Sequence, residues 1–425
     1  MSSSSFYRVS TANMYDSTLR NLNARQKSLV DLQENLTTGK RVVRPSDDPV
    51  AAAQAERAQT RLARNETDVR ALNMQRNSMA LAESTLGEAG DAMQEFRALV
   101  VNAGNGAYTQ TERDAIAQQL VSLRDQIFSY ANRKDSNGLP LFQALGSAEQ
   151  PFTGQLAFAG LPGQVASGAT SIANVLDGFA AWTNVPTGNG VFTVDVNAAN
   201  QGKAWADVGQ VTDPSTFAAS TVDNYRIVFS GTADALTYDV QDVATGLSVL
   251  PAAPPPPLPF PASATTTSTP VTLSFDGISI GISGKPAPGD EFTVTRNSAD
   301  PDTRSNVFQV LDNIIGAIRS GSNPDGSTAS GQLTHALTRG LAEIDASMNR
   351  MQAARGFAGD LLNRADRIEN DLGTRAIQLE ADRSRAEDLD MIQGISDFQN
   401  QQVGYEAALK SYAQVQKLSL FNFIS

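Results

Sequence analysis

The sequence predicts an α+β protein: a long helical coiled-coil or bundle rod formed by both chain ends, with a β-rich middle domain inserted between them. Three observations carry this. Apolar residues recur at heptad spacing in both flanks of the 425-residue chain. In the middle the period falls to two. Charge is distributed to match, since residues 151–300 hold only 4 Lys+Arg and 12 Asp+Glu out of 33 and 45 in the whole chain.

The first helix is drawn by Tyr15, Leu19, Leu22, Gln26, Leu29, Gln33 and Leu36, which step by four and three. It stops at Gly39, a residue suited to the left-handed turn after a helix. Lys40 and Arg41 follow, where the carbonyl end of that helix favours positive charge. Pro45 then disfavours helix at Arg44. Ser46 is a candidate N-cap for the next helix, Asp47 and Asp48 suit its exposed amides, and Pro49 fits its first turn. Residues 39–49 therefore read as a joint between two helices, stopped by chemistry on both sides.

The second helix is expected over 49–101, with Leu72, Met79, Leu86, Met93 and Val100 every seven residues and Gly104 and Gly106 ending it. Thr109 and Glu112 have capping-box spacing for a third helix, whose apolar face is Ile116, Leu120, Leu123, Ile127 and Tyr130. Asn137-Gly138 marks a turn.

In the middle zone, residues 191–196, 225–230, 236–240, 271–277, 278–280 and 291–296 read as strands. A Pro/Thr/Ser-rich stretch, 251–270, reads as an extended surface loop. Helix returns with Val307, Val310, Leu311, Ile314, Ile315 and Ile318, is interrupted by Gly and Ser, and resumes over 333–382. The last seam is the most regular: Met391, Ile395, Phe398, Gln402, Tyr405, Leu409 and Tyr412. Each terminal seam has two readings, the core of a bundle or a stripe that needs a partner chain.

Composition excludes several functions. A net charge of −12 with no run of Lys or Arg argues against nucleic acid or an anionic membrane surface as partner. With no Cys and a single His, zinc sites are nearly excluded, and no cofactor is expected. Apolar runs stay far below the ~18 residues of a membrane span. The first 20 residues lack a basic-then-apolar signal peptide, so export would use another route.

One catalytic pattern needs weighing. Gly277, Ser279 and Gly281 match the G-x-S-x-G nucleophile elbow, with Asp300 and His335 following in order. That elbow requires a helix after the serine, and SGKPAPG stands there instead. A secreted serine hydrolase is thus a distant alternative, and the expectation is a protein that is not an enzyme. His335 shares a helical pattern with Leu333, Leu337 and Leu341 and is expected at the surface or the core edge.

The joint LTTGKRVVRPSDDP, 36–49, resembles the one shared by flagellins and flagellar hook-associated proteins. The opening RVSTANMY, 8–15, and the ending LSLFNFI, 418–424, resemble the ends of a junction member of that family. The resemblance covers roughly 6–145 and 300–424. Departures are Ser2–Ser5 as an extra leader, Ser425 as an extra last residue, the polyproline insertion, and Pro140 where an aromatic is expected.

The resemblance implies that 1–44 and 386–425 are terminal inner-tube helices, 45–150 and 301–385 a helical rod, and 151–300 an outward-facing domain. Gly39, Pro45, Ser46, Asp47, Asp48 and Pro49 would then connect inner and outer tube. Tyr15, Leu19, Leu22, Leu29, Leu36, Met391, Ile395, Phe398, Tyr405, Leu409 and Tyr412 would pack between subunits. It further implies a structural protein joining hook to filament outside the cell. Its partners would be the first hook-associated protein, flagellin and other copies of itself in a ring. Export would run through the flagellar type III apparatus, with a chaperone on the C-terminal helix. A flagellin is the alternative within the family.

Overall fold

A computed structural model describes residues 11–147, 149–153, 157–232, 235–251, 255–261, 270–297, 304–320 and 331–424. Its helices are α1 (Thr11–Thr38), α2 (Pro49–Ala103), α3 (Gln110–Ala131), α4 (Gly178–Trp182), α5 (Pro214–Ala219), α6 (Val307–Ser320), α7 (Gly331–Glu387) and α8 (Met391–Ile424). The strands are β1 (Phe142–Gln143), β2 (Leu176–Asp177), β3 (Phe192–Val196), β4 (Trp205–Ala206), β5 (Gln210–Val211), β6 (Asn224–Thr232), β7 (Ala235–Asp242), β8 (Leu258–Pro259), β9 (Val271–Phe275), β10 (Ile278–Ser283) and β11 (Glu291–Arg296). The described residues fall into two compact units, one within Met1–Ala71 and Ile368–Ser425, the other within Leu72–Arg367.

Within the Leu72–Arg367 unit the heptad of α2 is core: Leu72, Met79, Leu86, Met93 and Val100 are all buried. The capping box of α3 is complete, with Thr109 accepting from the Glu112 amide and the Glu112 carboxylate accepting from the Thr109 amide at 2.7 Å. The whole apolar face of α6 is buried. Its Phe308 ring meets Phe128 at 5.3 Å and Phe152 at 5.1 Å edge-on, and stacks on Trp182 at 6.1 Å. Such ring pairs add about 0.5–1.5 kcal/mol each beyond the area they bury.

The same unit contains the β-rich part. One antiparallel sheet runs β3-β11-β6-β7-β8, and in the other β10 pairs with β4, β5 and β9. Alternation decides which side chains face inward: Tyr225, Ile227 and Phe229 of β6 are buried while Arg226 and Val228 between them are only partly covered. Phe192, Val194, Phe292 and Val294 extend that core on the neighbouring strands, and Ile278, Ile280 and Ile282 supply it from β10.

Two expectations, the wholly exposed Pro-rich loop and the place of His335, are corrected here. The described part of the Pro-rich stretch is not wholly surface loop: β8 pairs with β7 at Thr237↔Pro259 and Tyr238↔Leu258, and Phe260 is buried in the sheet core. Proline fits because β8 is an edge strand, where a missing N–H breaks no ladder. Ser279 lies within β10, buried and in register with Ser274, so no strand–turn–helix elbow presents it. Asp300, its proposed third partner, lies outside the described residues.

His335 is buried, not at the surface. It sits in the first turns of α7 with Nδ1 2.9 Å from the Ala206 carbonyl oxygen and Nε2 2.9 Å from that of Val194. One side chain thereby ties α7 to β4 and β3. One turn on, Arg339 pairs with Asp195 of β3 and with buried Glu343 at 2.9 Å, and Glu343 accepts the Gly188 amide at 3.1 Å. Polar bonds of this kind fix register where apolar contact alone would tolerate sliding.

Candidate assembly surface

The other unit brings the two chain ends together. α1 packs on α8, and the joint after α1 packs on the joint before α8. Gly39, at φ +70, turns the chain out of α1 as its residue type demands. Its carbonyl accepts the Leu389 amide at 2.9 Å, while the Arg41 amide donates to the Glu387 carbonyl at 2.8 Å. Lys40 and Asp388 form the bridge between them.

The two basic residues serve a different helix from the one expected. Lys40 pairs with Glu387, and Arg41 donates through Nη2 to the Ala386 carbonyl at 3.0 Å, so both hold the C-terminal end of α7 rather than that of α1. The N-cap of α2 is Asp48, not Ser46: Asp48 Oδ1 accepts the amides of Val50 at 3.1 Å and Ala51 at 3.0 Å. With Pro49 as the first helical residue, the cap must be the residue before it. Asp47 closes the turn by accepting the Arg44 amide at 2.8 Å, and Pro45 and Ser46 are exposed within that turn. Asp390 caps α8 in the same way, accepting the Ile392 and Gln393 amides.

Among its described side chains, the α1–α8 pair has almost no interior. From Asp16 to Thr38 and from Met391 to Gln414, Gly394 alone is buried. Leu19, Leu22, Leu29 and Leu36 are half-buried, as is Leu32, which the heptad reading passed over. Tyr15 lies in α1, but its side chain is outside the described ones.

On α8 the predicted seam is split along its length. Phe398, Tyr405 and Tyr412 are half-buried, whereas Met391, Ile395 and Leu409 are exposed, Leu409 by 40%. The face turned to α1 is instead marked by small residues. A Cβ on Gly394 would come within 2.8 Å of Leu389 and 3.3 Å of Leu36, and one on Gly404 within 2.5 Å of the Arg25 guanidinium. Arg25 also donates to Gln401 at 3.4 Å. At 100° per residue, this inner face is rotated roughly 60–80° from the centre of the apolar stripe. One edge of the stripe is therefore used within the chain, and the rest faces outward beside Ile392 and Val403, which are 85% and 67% exposed. Glycines at close approach were the available sequence signal for the inner face, and the apolar heptad outweighed them.

Comparison with known proteins shows the family. The bacterial flagellin N-terminal helical region matches residues 9–146 and the bacterial flagellin C-terminal helical region matches residues 341–424. The chain belongs to the flagellin family. Within that family it is 32% identical over 185 residues to flagellar hook-associated protein 3 of Escherichia coli K12, a match covering 44% of this chain and 56% of that one. It is 34% identical over 145 residues to flagellar hook-associated protein 3 of Salmonella typhimurium LT2, covering 34% and 46%. The chain thus spans about half the length of the curated relatives it matches. Flagellins are matched over smaller shares. The fold is shared with flagellar hook-associated protein 3 of Legionella pneumophila, at a TM-score of 0.66 and 22% identity over 77% of this chain and 97% of that one.

Proposed function

We propose that this chain is a structural junction subunit of the bacterial flagellum, joining the hook, through the first hook-associated protein, to the flagellin filament. The observation that carries the reading is the outward half of the α8 stripe on a helix pair with almost no core among its described side chains. Isolated helices are marginal in water, and burying a Leu contributes roughly 1.5–3 kcal/mol. Met391, Ile395 and Leu409 gain that contribution between copies of the chain in a ring, together with the half-buried leucines of α1. No bond is made or broken. The subunit leaves the cell through the flagellar type III apparatus, and a chaperone covers the α8 stripe until assembly.

Deletion of the gene, with electron microscopy of the cells and assay of the spent medium, tests this. Hooks without filaments and flagellin monomers shed to the medium are expected. Hooks without filaments and no flagellin in cells or medium would identify the chain as the filament subunit itself. Unaltered filaments would remove the junction role.

A further inference from the structure

A second surface of the same unit carries charge rather than apolar area. Between the start of α2 and the end of α7 lies an open groove of about 600 Å³ lined by Arg41, Arg57, Arg61 and Arg385, with Asp48 and Asp382 as its two carboxylates. Both carboxylates are engaged: Asp48 caps α2 and lies 3.5 Å from Arg41, and Asp382 pairs with Arg385. Arg57 and Arg61, one turn apart on α2, are exposed and have no hydrogen-bond or ion-pair partner among the described residues. Arg64, three residues further on, is likewise exposed and without such a partner among the described residues, so this stretch of α2 carries a basic row in a chain of net charge −12.

The complementary pair lies further along the same helix. Asp91 and Glu95 are exposed, also one turn apart, and likewise have no cation partner among the described residues. Neighbouring carboxylates on α2 are taken, Glu83 by Arg355 and Glu88 by Arg133. Side chains four apart on two facing helices match in spacing, so two ion pairs can form together.

We infer that Arg57 and Arg61 of one copy receive Asp91 and Glu95 of a second copy, giving the assembled ring a heterologous, charge-matched contact distinct from the α8 stripe. The inference rests on the junction reading only in requiring that copies pack side by side. Such a contact joins two different patches and closes only as a ring or continues as a filament. Single exposed ion pairs are worth little, but like charges placed opposite each other cost several kcal/mol, so reversal is the sensitive test.

The variant R57E/R61E and the fourfold reversal R57E/R61E/D91R/E95R are compared with wild type for the amount of protein on isolated hooks, detected by antibody. All four positions are exposed, so circular dichroism and melting of the monomers are expected to be unchanged. About tenfold or greater loss of incorporation is expected for the double variant, tenfold corresponding to 1.4 kcal/mol. Recovery is expected for the fourfold variant. Because the chain has no cysteine, Arg61→Cys and Glu95→Cys copies can be co-expressed and treated with a short bismaleimide. A cross-linked pair of the two, absent from either alone, is the expected product. Incorporation unaffected by the double reversal overturns the inference. So does a loss that the fourfold variant fails to restore, which would assign the groove to another axial subunit. Wild-type protein absent from the hooks removes the junction reading and this inference together. Its presence there alongside either negative result removes the inference alone.

Discussion

A neutral imidazole carries one N–H, so replacing His335 by Leu takes the donor from one of the two buried carbonyl oxygens it faces, those of Ala206 and Val194. An unsatisfied buried acceptor costs about 1–3 kcal/mol, and a loss of that size is expected in urea or thermal unfolding. His335→Gln can serve one carbonyl and recovers part of the loss. Asp48→Ala removes the cap of α2 and should cost about 1 kcal/mol, while Ser46→Ala should be within error of wild type. Comparing the two variants in one melting experiment checks the assignment of the cap. The sequence located the joint to within two residues, because Pro45 and Pro49 restrict the backbone locally and Gly39 permits the left-handed turn. It placed His335 wrongly and sent Lys40 and Arg41 to the wrong helix end, because their partners lie on segments more than a hundred residues away.

At the scale of elements, one heptad signal led to two different outcomes. The stripe of α2 from Leu72 to Val100 is fully buried, while those of α1 and α8 are half-buried at most. Periodicity specifies that a helix has an apolar face, and only the surroundings decide how much of that face is covered. Strands with strict alternation, such as β6, β7 and β11, were legible for the same local reason. The two-residue strands β1, β2, β4, β5 and β8 were not, being too short to show a period. The short helices α4 and α5 carry capping residues, Asp177 and Asp213, that would have flagged them. The thin burial of the described part of α1–α8 makes its own prediction. In the isolated chain, amides at 16–36 and 391–412 should exchange at least about a hundredfold faster than those of buried α6, since local opening follows local burial. Strong protection there would show that the pair is stable without neighbours.

For the whole molecule, the prediction follows from separating what folds the chain from what assembles it. The Leu72–Arg367 unit has buried cores of its own, the apolar face of α6 and the sheet core around Ile227 and Phe292. Leu409, exposed on α8, contributes little to either compact unit. Leu409→Asp should therefore leave the circular dichroism and the main unfolding transition as in wild type. Placed between subunits, the same carboxylate must be desolvated without a partner, at a cost of several kcal/mol for every copy in the ring. Cells carrying this variant should export the protein yet show hooks without filaments, with the variant recovered from the medium. Lys410 offers the control, since it is exposed, adjacent and off the stripe. Lys410→Asp should assemble normally if the effect comes from burial of the stripe and not from added charge on α8. Normal filaments from Leu409→Asp would mean that the outward half of the stripe stays in water, and the assembly surface would then have to be sought elsewhere on the chain.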